Sequence, residues 1–174
     1  MDDVFIEKIV RRYKTGKDYL VIAGLMFAAF VIMTAMLFFM EYISFLLPVL
    51  IVALIYGLWY MLTAQNREFE YIVTNGDLDI DLIIARRKRK RVFSGKAKNF
   101  ELMAKCDSDD YRQAQKSQHT LLDCSSSPKS PNNWFILTEY KSQRTLLLFS
   151  PDERILSSLR RFNPGKIKYQ PSVH

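Results

Sequence analysis

Residues 69–80 read FEYIVTNGDLDI, and this stretch decides the fold of everything downstream of it. Phe69, Tyr71 and Val73 alternate with Glu68 and Glu70, a period of two that puts the apolar side chains on one face of a strand. Asn75-Gly76 follows, a pair that tolerates positive φ at both positions and so closes a tight hairpin. Leu78, Ile80, Leu82 and Ile84 then resume the alternation against Asp77, Asp79 and Asp81. The pattern predicts a two-stranded hairpin with one oily and one acidic face.

Toward the C-terminus, further strands are expected over 89–94, 100–104 and 120–124. The polar residues 107–119 read as loop or short helix, and 125–133 (SSSPKSPNN) as loop. Residues 134–140 and 145–149 form a second hairpin across 141–144. Ser150-Pro151-Asp152-Glu153 reads as a helix start, with Ser150 as N-cap, Pro151 at the first helical position and Glu153 completing a capping box. Ile155, Leu156, Leu159 and Phe162 make the apolar stripe of that helix, Asn163-Pro164-Gly165 ends it, and 166–174 are expected as a loose tail.

Toward the N-terminus the chain is a different material. Residues 20–64 contain one charged residue, Glu41, whereas residues 65–174 hold 20 Lys and Arg against 13 Asp and Glu and so carry the +7 net charge. Residues 20–40 make a helix of about 31 Å at 1.5 Å per residue, the thickness of a bilayer's hydrocarbon core. Residues 43–64 form a second apolar span, with Pro48 in its first turns and Tyr56, Trp59 and Tyr60 near its end, where aromatic rings suit a membrane–water interface. Together, 20–64 are expected as a two-helix transmembrane hairpin. Gly24 and Ala28 in one helix and Ala53 and Gly57 in the other offer small surfaces for packing, Ala28 opposite Gly57. Lys8, Arg11, Arg12, Lys14, Lys17, Arg67 and the run from Arg86 to Arg91 all lie outside the connector, so both termini are expected in the cytoplasm of a multi-pass cell-membrane protein. Residues 1–19 read as an amphipathic interfacial helix, with Phe5, Ile6, Ile9, Val10 and Tyr13 on one face. The composition argues against a fully soluble globule, a disordered tail and a disulfide scaffold, since there are only two cysteines in 174 residues.

Six or seven strands closed by one C-terminal amphipathic helix, over 66–165, resemble a pleckstrin-homology-like (PH-like) barrel. The residues behind the resemblance are FEYIVTNGDLDI at 69–80, the basic run, and FSPDERILSSLRRF at 149–162. The whole chain resembles uncharacterised bacterial membrane proteins in which a two-helix hairpin precedes such a domain. The expected fold class is therefore a membrane α-hairpin followed by an α+β cytoplasmic domain. The resemblance implies a binding module and names no ligand.

Chemistry-bearing motifs are sparse. The six glycines are isolated, so no phosphate-cradling loop exists. Cys106, His119 and Cys124 match no zinc spacing, and two reduced thiols are the simpler reading. No catalytic, cofactor or metal site is expected, no nucleic-acid partner is expected and no small-molecule substrate is identified; a membrane-bound enzyme or a nucleic-acid-binding protein is the lesser alternative. What stands out is Arg86-Arg87-Lys88-Arg89-Lys90-Arg91. Six successive charges cannot share one face of a strand. With Arg67, which the return strand brings level with Arg86, they are the candidate residues for engaging anionic lipid headgroups or a partner protein. Against this stands a structural role, neutralising Glu68, Glu70, Asp77, Asp79 and Asp81 across the sheet, as in a structural subunit of a membrane complex. The expectation is a membrane-anchored, non-enzymatic binding module whose partners are membrane lipids, another protein or a second copy.

Overall fold

The computed structural model describes residues 5–128 and 130–170. The chain divides into a β-rich unit (residues 1–12, 68–83 and 87–174) and a helical unit (13–67 and 84–86).

The β-rich unit holds two four-stranded sheets. The first has the order β1-β2-β3-β4, from β1 (Phe5–Arg11), β2 (Arg67–Thr74), β3 (Asp77–Ile84) and β4 (Lys88–Lys96). The second has the order β5-β7-β8-β6, from β5 (Leu102–Lys105), β6 (Thr120–Asp123), β7 (Trp134–Tyr140) and β8 (Gln143–Phe149). In it β6 runs parallel to β8, and the other pairs are antiparallel. The Asn75-Gly76 turn takes the expected positive φ at both residues (49° and 86°), and Lys141-Ser142 repeats that geometry between β7 and β8. Phe69, Tyr71, Val73, Leu78 and Ile80 face Ile136, Leu147 and Phe149 across one core. Helix α5 (Glu153–Phe162) covers it with Ile155, Leu156 and Leu159. Helix α4 (Asp109–Lys116), in the stretch expected as loop or helix, lies on the other face of the second sheet. There Tyr111 and Ala114 cover Phe135, Leu137, Leu146 and Leu148. Both faces of β7 and β8 are thus covered, which is why those strands are apolar nearly throughout.

Three expectations for the β-rich unit need correction. Residues 5–11 are a strand, not part of an amphipathic helix over 1–19; residues 1–4 lie outside the described residues. FIEKIVR also alternates with period two, and pairing from Phe5↔Thr74 to Arg11↔Glu68 turns Ile6 and Val10 inward onto the core. The sheet-forming segment therefore begins well before residue 66. Helix α5 is capped by Asp152, whose Oδ1 accepts from the Ile155 N–H at 3.0 Å, and not by Ser150, which is buried and donates its hydroxyl to Asn133 Oδ1 at 2.7 Å. The tail is not loose as far as residue 170. Ile167 and Tyr169 are buried, and Met103 exchanges backbone hydrogen bonds with Lys166 and Lys168 at 2.9 and 2.8 Å. Residues 171–174 lie outside the described residues.

In the helical unit, α1 (Gly16–Phe38) packs on α3 (Leu47–Thr63), with the short α2 (Met40–Ile43) in the connection. Asp18 Oδ2 accepts from the Thr15 N–H at 2.7 Å, which starts α1 ahead of the apolar run. Among the described residues α1 alone is long and apolar enough to cross a membrane, with 23 residues, a mean hydropathy of 2.6 and no part of that window buried. The expected second span, 43–64, is a helix of only 17 residues, because Pro48 in its first turn has no N–H to carry the helix unbroken back from there. A Cβ placed at Gly24 or Gly57 would meet nothing, so the expected close approach at Gly57 is not how α1 and α3 touch.

The C-terminus of α5 pins the first hairpin. Asn163 Nδ2 donates to the carbonyls of Ala97 and Phe100 at 2.9 and 3.2 Å, and the Ala97 N–H donates to the Gly76 carbonyl at 2.8 Å. A Cβ on Gly76 would overlap the Phe162 ring, at a φ that L-residues rarely adopt. Gly76→Ala should therefore destabilise the fold by about 1–3 kcal/mol from backbone strain alone. Gly165→Ala, where the added atom meets nothing, should leave the melting temperature within error in the same thermal-melt series.

Candidate functional site

The side of the first sheet turned away from the core is a lattice of charge. β1 presents Glu7, Ile9 and Arg11, β2 presents Glu68 and Glu70, and β3 presents Asp79 and Asp81. The first half of β4 supplies the cations. Arg91 holds two aspartates at once, with Nη1 2.6 Å from Asp79 Oδ2, Nε 2.6 Å from Asp81 Oδ1 and Nη2 3.2 Å from Asp81 Oδ2. Arg89 Nη2 reaches Glu70 Oε1 at 2.9 Å, and Arg11 Nε reaches Glu68 Oε1 at 3.1 Å. The Asp81 side chain is 6% exposed and that of Arg91 47%, so the arginine lies over the aspartate as a lid with one edge in water.

Glu70 is the stressed member. Its side chain is 1% exposed, and Oε2 has no hydrogen-bond partner among the described residues. The covering is thin, a single layer of side chains on an outer sheet face. Burial still raises its pKa above the ordinary glutamate value; Arg89 offsets part of this, while Glu7 and Asp81 add to it. Arg91 is held further toward its charged form, chiefly by the hydrogen bonds it donates to Asp81.

The basic run is thus divided. Arg89 and Arg91 belong to the charge lattice. Lys88 and Lys90 are exposed on β4, with no ion pair to another described residue. Arg87 lies in the turn before β4. Arg86 and Arg67 sit in the helical unit, where the Ala85 N–H donates to the Asn66 carbonyl at 2.8 Å and holds the β3–β4 turn against the chain leaving α3. That turn carries positive φ at Ala85 (53°) and Arg86 (56°), neither of them a residue type that favours it. The structure therefore brings Arg67 level with the start of the run, as the strand lengths imply, and does not assemble the six charges into one patch. A helical reading of residues 1–19 leaves Glu7 and Arg11 off this face; the period-two fit of FIEKIVR is the signal that puts them on it.

Elsewhere, Cys124 lies in the main core and Cys106 against the second apolar cluster, and burial pushes both thiols up to about 12, leaving them protonated. His119 lines a shallow polar pocket with Gln118, Thr120, Gln143 and Arg144, and Arg144 is already engaged by Glu101 at 2.7 Å. Among the described residues no three His, Cys, Asp or Glu side chains converge as metal ligands.

Two four-stranded sheets closed by a C-terminal helix, with a charge lattice on one outer face, make an α+β domain. The chain belongs to the family described as Bacterial PH-like domain (DUF6106), whose model matches residues 2–169. No curated protein and no solved structure matches it.

Arg91→Gln should strand Asp81 beneath a neutral side chain and lower stability by about 1–2 kcal/mol, discounted from a fully buried pair because the arginine is half-exposed; Lys90→Gln should change little. Glu70 predicts a pH dependence of its own. Its raised folded-state pKa means that its contribution is fully present below the unfolded value near 4.5 and is lost as pH rises through the folded value. Glu70→Gln should therefore melt a few degrees higher than the parent at pH 7.5, with the gap closing toward pH 4.5, when both are followed by thermal melts.

Proposed function

We propose that this protein is a membrane-anchored, non-enzymatic binding module whose basic end of the helical unit engages anionic lipid headgroups. One observation carries the reading. The helical unit has Lys14 and Lys17 at the start of α1 and Arg67 and Arg86 beyond the end of α3, Glu41 is in the connection between the helices, and the apolar side chains between are exposed, among them Phe27, Phe30, Phe45, Val52 and Ile55. Water would not leave such a surface uncovered, whereas hydrocarbon would. Cations gathered where α1 begins and α3 ends support a cytoplasmic side for that end, where the leaflet is anionic.

In this reading α1, about 35 Å long at 1.5 Å per residue, spans with room to tilt. Helix α3, about 26 Å long, spans with help from the connector and from Trp59 and Tyr60 at interface depth. Arg89 and Arg91 serve the sheet, and Arg67 and Arg86 serve the lipid.

Full-length protein reconstituted in nanodiscs with about a third anionic phospholipid, then examined by native mass spectrometry, separates these roles. At about 1 kcal/mol per cation, Arg67→Gln with Arg86→Gln should weaken retention of anionic lipid roughly 30-fold. Arg89→Gln with Arg91→Gln should lower the melting temperature and leave lipid retention close to that of the parent. Equal lipid retention by the Arg67/Arg86 variant and the parent would refute the headgroup reading. Reporter fusions at the two termini should report the same, cytoplasmic side, and a reporter on opposite sides would refute the two-span anchor.

A further inference from the structure

β1 is an edge strand, since the order β1-β2-β3-β4 leaves its outer side unpaired. Backbone groups on that side have no hydrogen-bond partner among the described residues. Edge strands usually carry a device against pairing, such as a proline, a bulge or an inward-pointing lysine. β1 has no proline and pairs with β2 without interruption over all seven residues. Its one inward lysine, Lys8, is already engaged, donating to the Ser150 carbonyl at 3.1 Å, with burial lowering its pKa. On the outward face, Phe5 is 64% exposed and Ile9 54%.

We propose that β1 pairs antiparallel with β1 of a second copy, joining two first sheets into one eight-stranded sheet about a two-fold axis through Ile9. The register follows from symmetry and charge. A two-fold perpendicular to the sheet keeps inward residues opposite inward ones, so the axis must pass through a residue and not between two. An axis at Glu7 sets Glu7 against itself, and one at Lys8 sets Lys8 against itself, both like-charge contacts that oppose pairing. An axis at Val10 sets Lys8 against Arg12. Within β1 only the axis at Ile9 sets opposite charges against each other; an axis at Ile6 avoids like charges but sets Glu7 against Phe5 and pairs no charges. Ile9 meets Ile9, Lys8 meets Val10, and Glu7 meets Arg11 twice, once on each side of the axis. Arg11 uses Nε for Glu68, which leaves the outer edge of its guanidinium for the second copy's Glu7.

Charge exchange in the full-length protein in detergent, followed by light scattering, tests the register. Glu7→Arg alone and Arg11→Glu alone each turn two attractive contacts into two repulsive ones and should each raise the dimer dissociation constant at least tenfold. Glu7→Arg with Arg11→Glu should restore it to within about threefold of the parent. Loss of the intrachain Arg11–Glu68 pair cannot mimic that rescue, because Glu7 plays no part in it. Ile9→Cys, in a background with Cys106 and Cys124 replaced by Ala, should form an intersubunit disulfide or short-crosslinker adduct faster than Phe5→Cys does. A monomeric parent, a dimer indifferent to both single exchanges, or equal crosslinking at positions 5 and 9 would overturn the proposal. The single variants' melting temperatures show whether each is folded, and a folded chain without rescue in the double variant counts against the register.

Discussion

One buried hydroxyl holds the β-rich unit together. Tyr71 projects inward from β2, and its oxygen donates to the Cys124 carbonyl at 2.6 Å and accepts from the Ser150 N–H at 3.1 Å. Cys124 follows β6 and Ser150 follows β8, so a side chain of the first sheet ties off two strand ends of the second. Burial raises the Tyr71 pKa, which keeps the hydroxyl protonated and able to donate. Around it, Ser150 Oγ bonds Asn133, Asn133 Nδ2 donates to the Ser127 carbonyl at 2.6 Å, and Lys8 reaches the Ser150 carbonyl from β1. Without these partners the polar groups would sit unpaired in a core, at a cost of about 1–3 kcal/mol each. The 125–133 loop, the lead into α5 and the inner side of β1 are consequently placed by one network.

The two faces of the first sheet solve different problems. The inner face is apolar and closes on α5. The outer face carries more carboxylates than a sheet surface tolerates without help, and the basic run supplies that help through Arg89 and Arg91. The same run then divides by position along the chain. Its start is turned by Ala85 and Arg86 toward the chain leaving α3, and its strand portion is spent partly on the sheet. A charge run that looks uniform in sequence is therefore part turn and part strand. Of the cations in the run, Arg89 and Arg91 are the ones that pair with the sheet's carboxylates.

Much of the β-rich unit was legible beforehand. The FEYIVTNGDLDI hairpin is legible because alternation and Asn-Gly turn chemistry are both local, and each specifies the same register. The stripe Ile155, Leu156, Leu159 is legible for the same reason, with a period near 3.6 and a stop at Asn163-Pro164-Gly165. The misreadings fall where local signals compete. FIEKIVR fits a helix face and a strand face equally well, and a basic amphipathic stretch before an apolar helix biases the choice. Ser150 and Asp152 are both good caps, and the burial of Ser150 against Tyr71 and Asn133 decides between them.

The sequence by itself determined the local elements: the first hairpin, the apolar α1 and the amphipathic α5, each set by periodicity and by turn or capping residues within a few positions. Only the tertiary structure decided which residues meet across long separations. The pairing of β1 with β2 is closed across the whole helical unit, and the covering of β7 and β8 on both faces depends on α4 folding back. Arg91 finds Asp79 and Asp81 because β4 lies beside β3 and not elsewhere. A backbone edge has the same N–H and C=O groups whatever its residues, so pairing partners are chosen by the burial that the whole fold achieves.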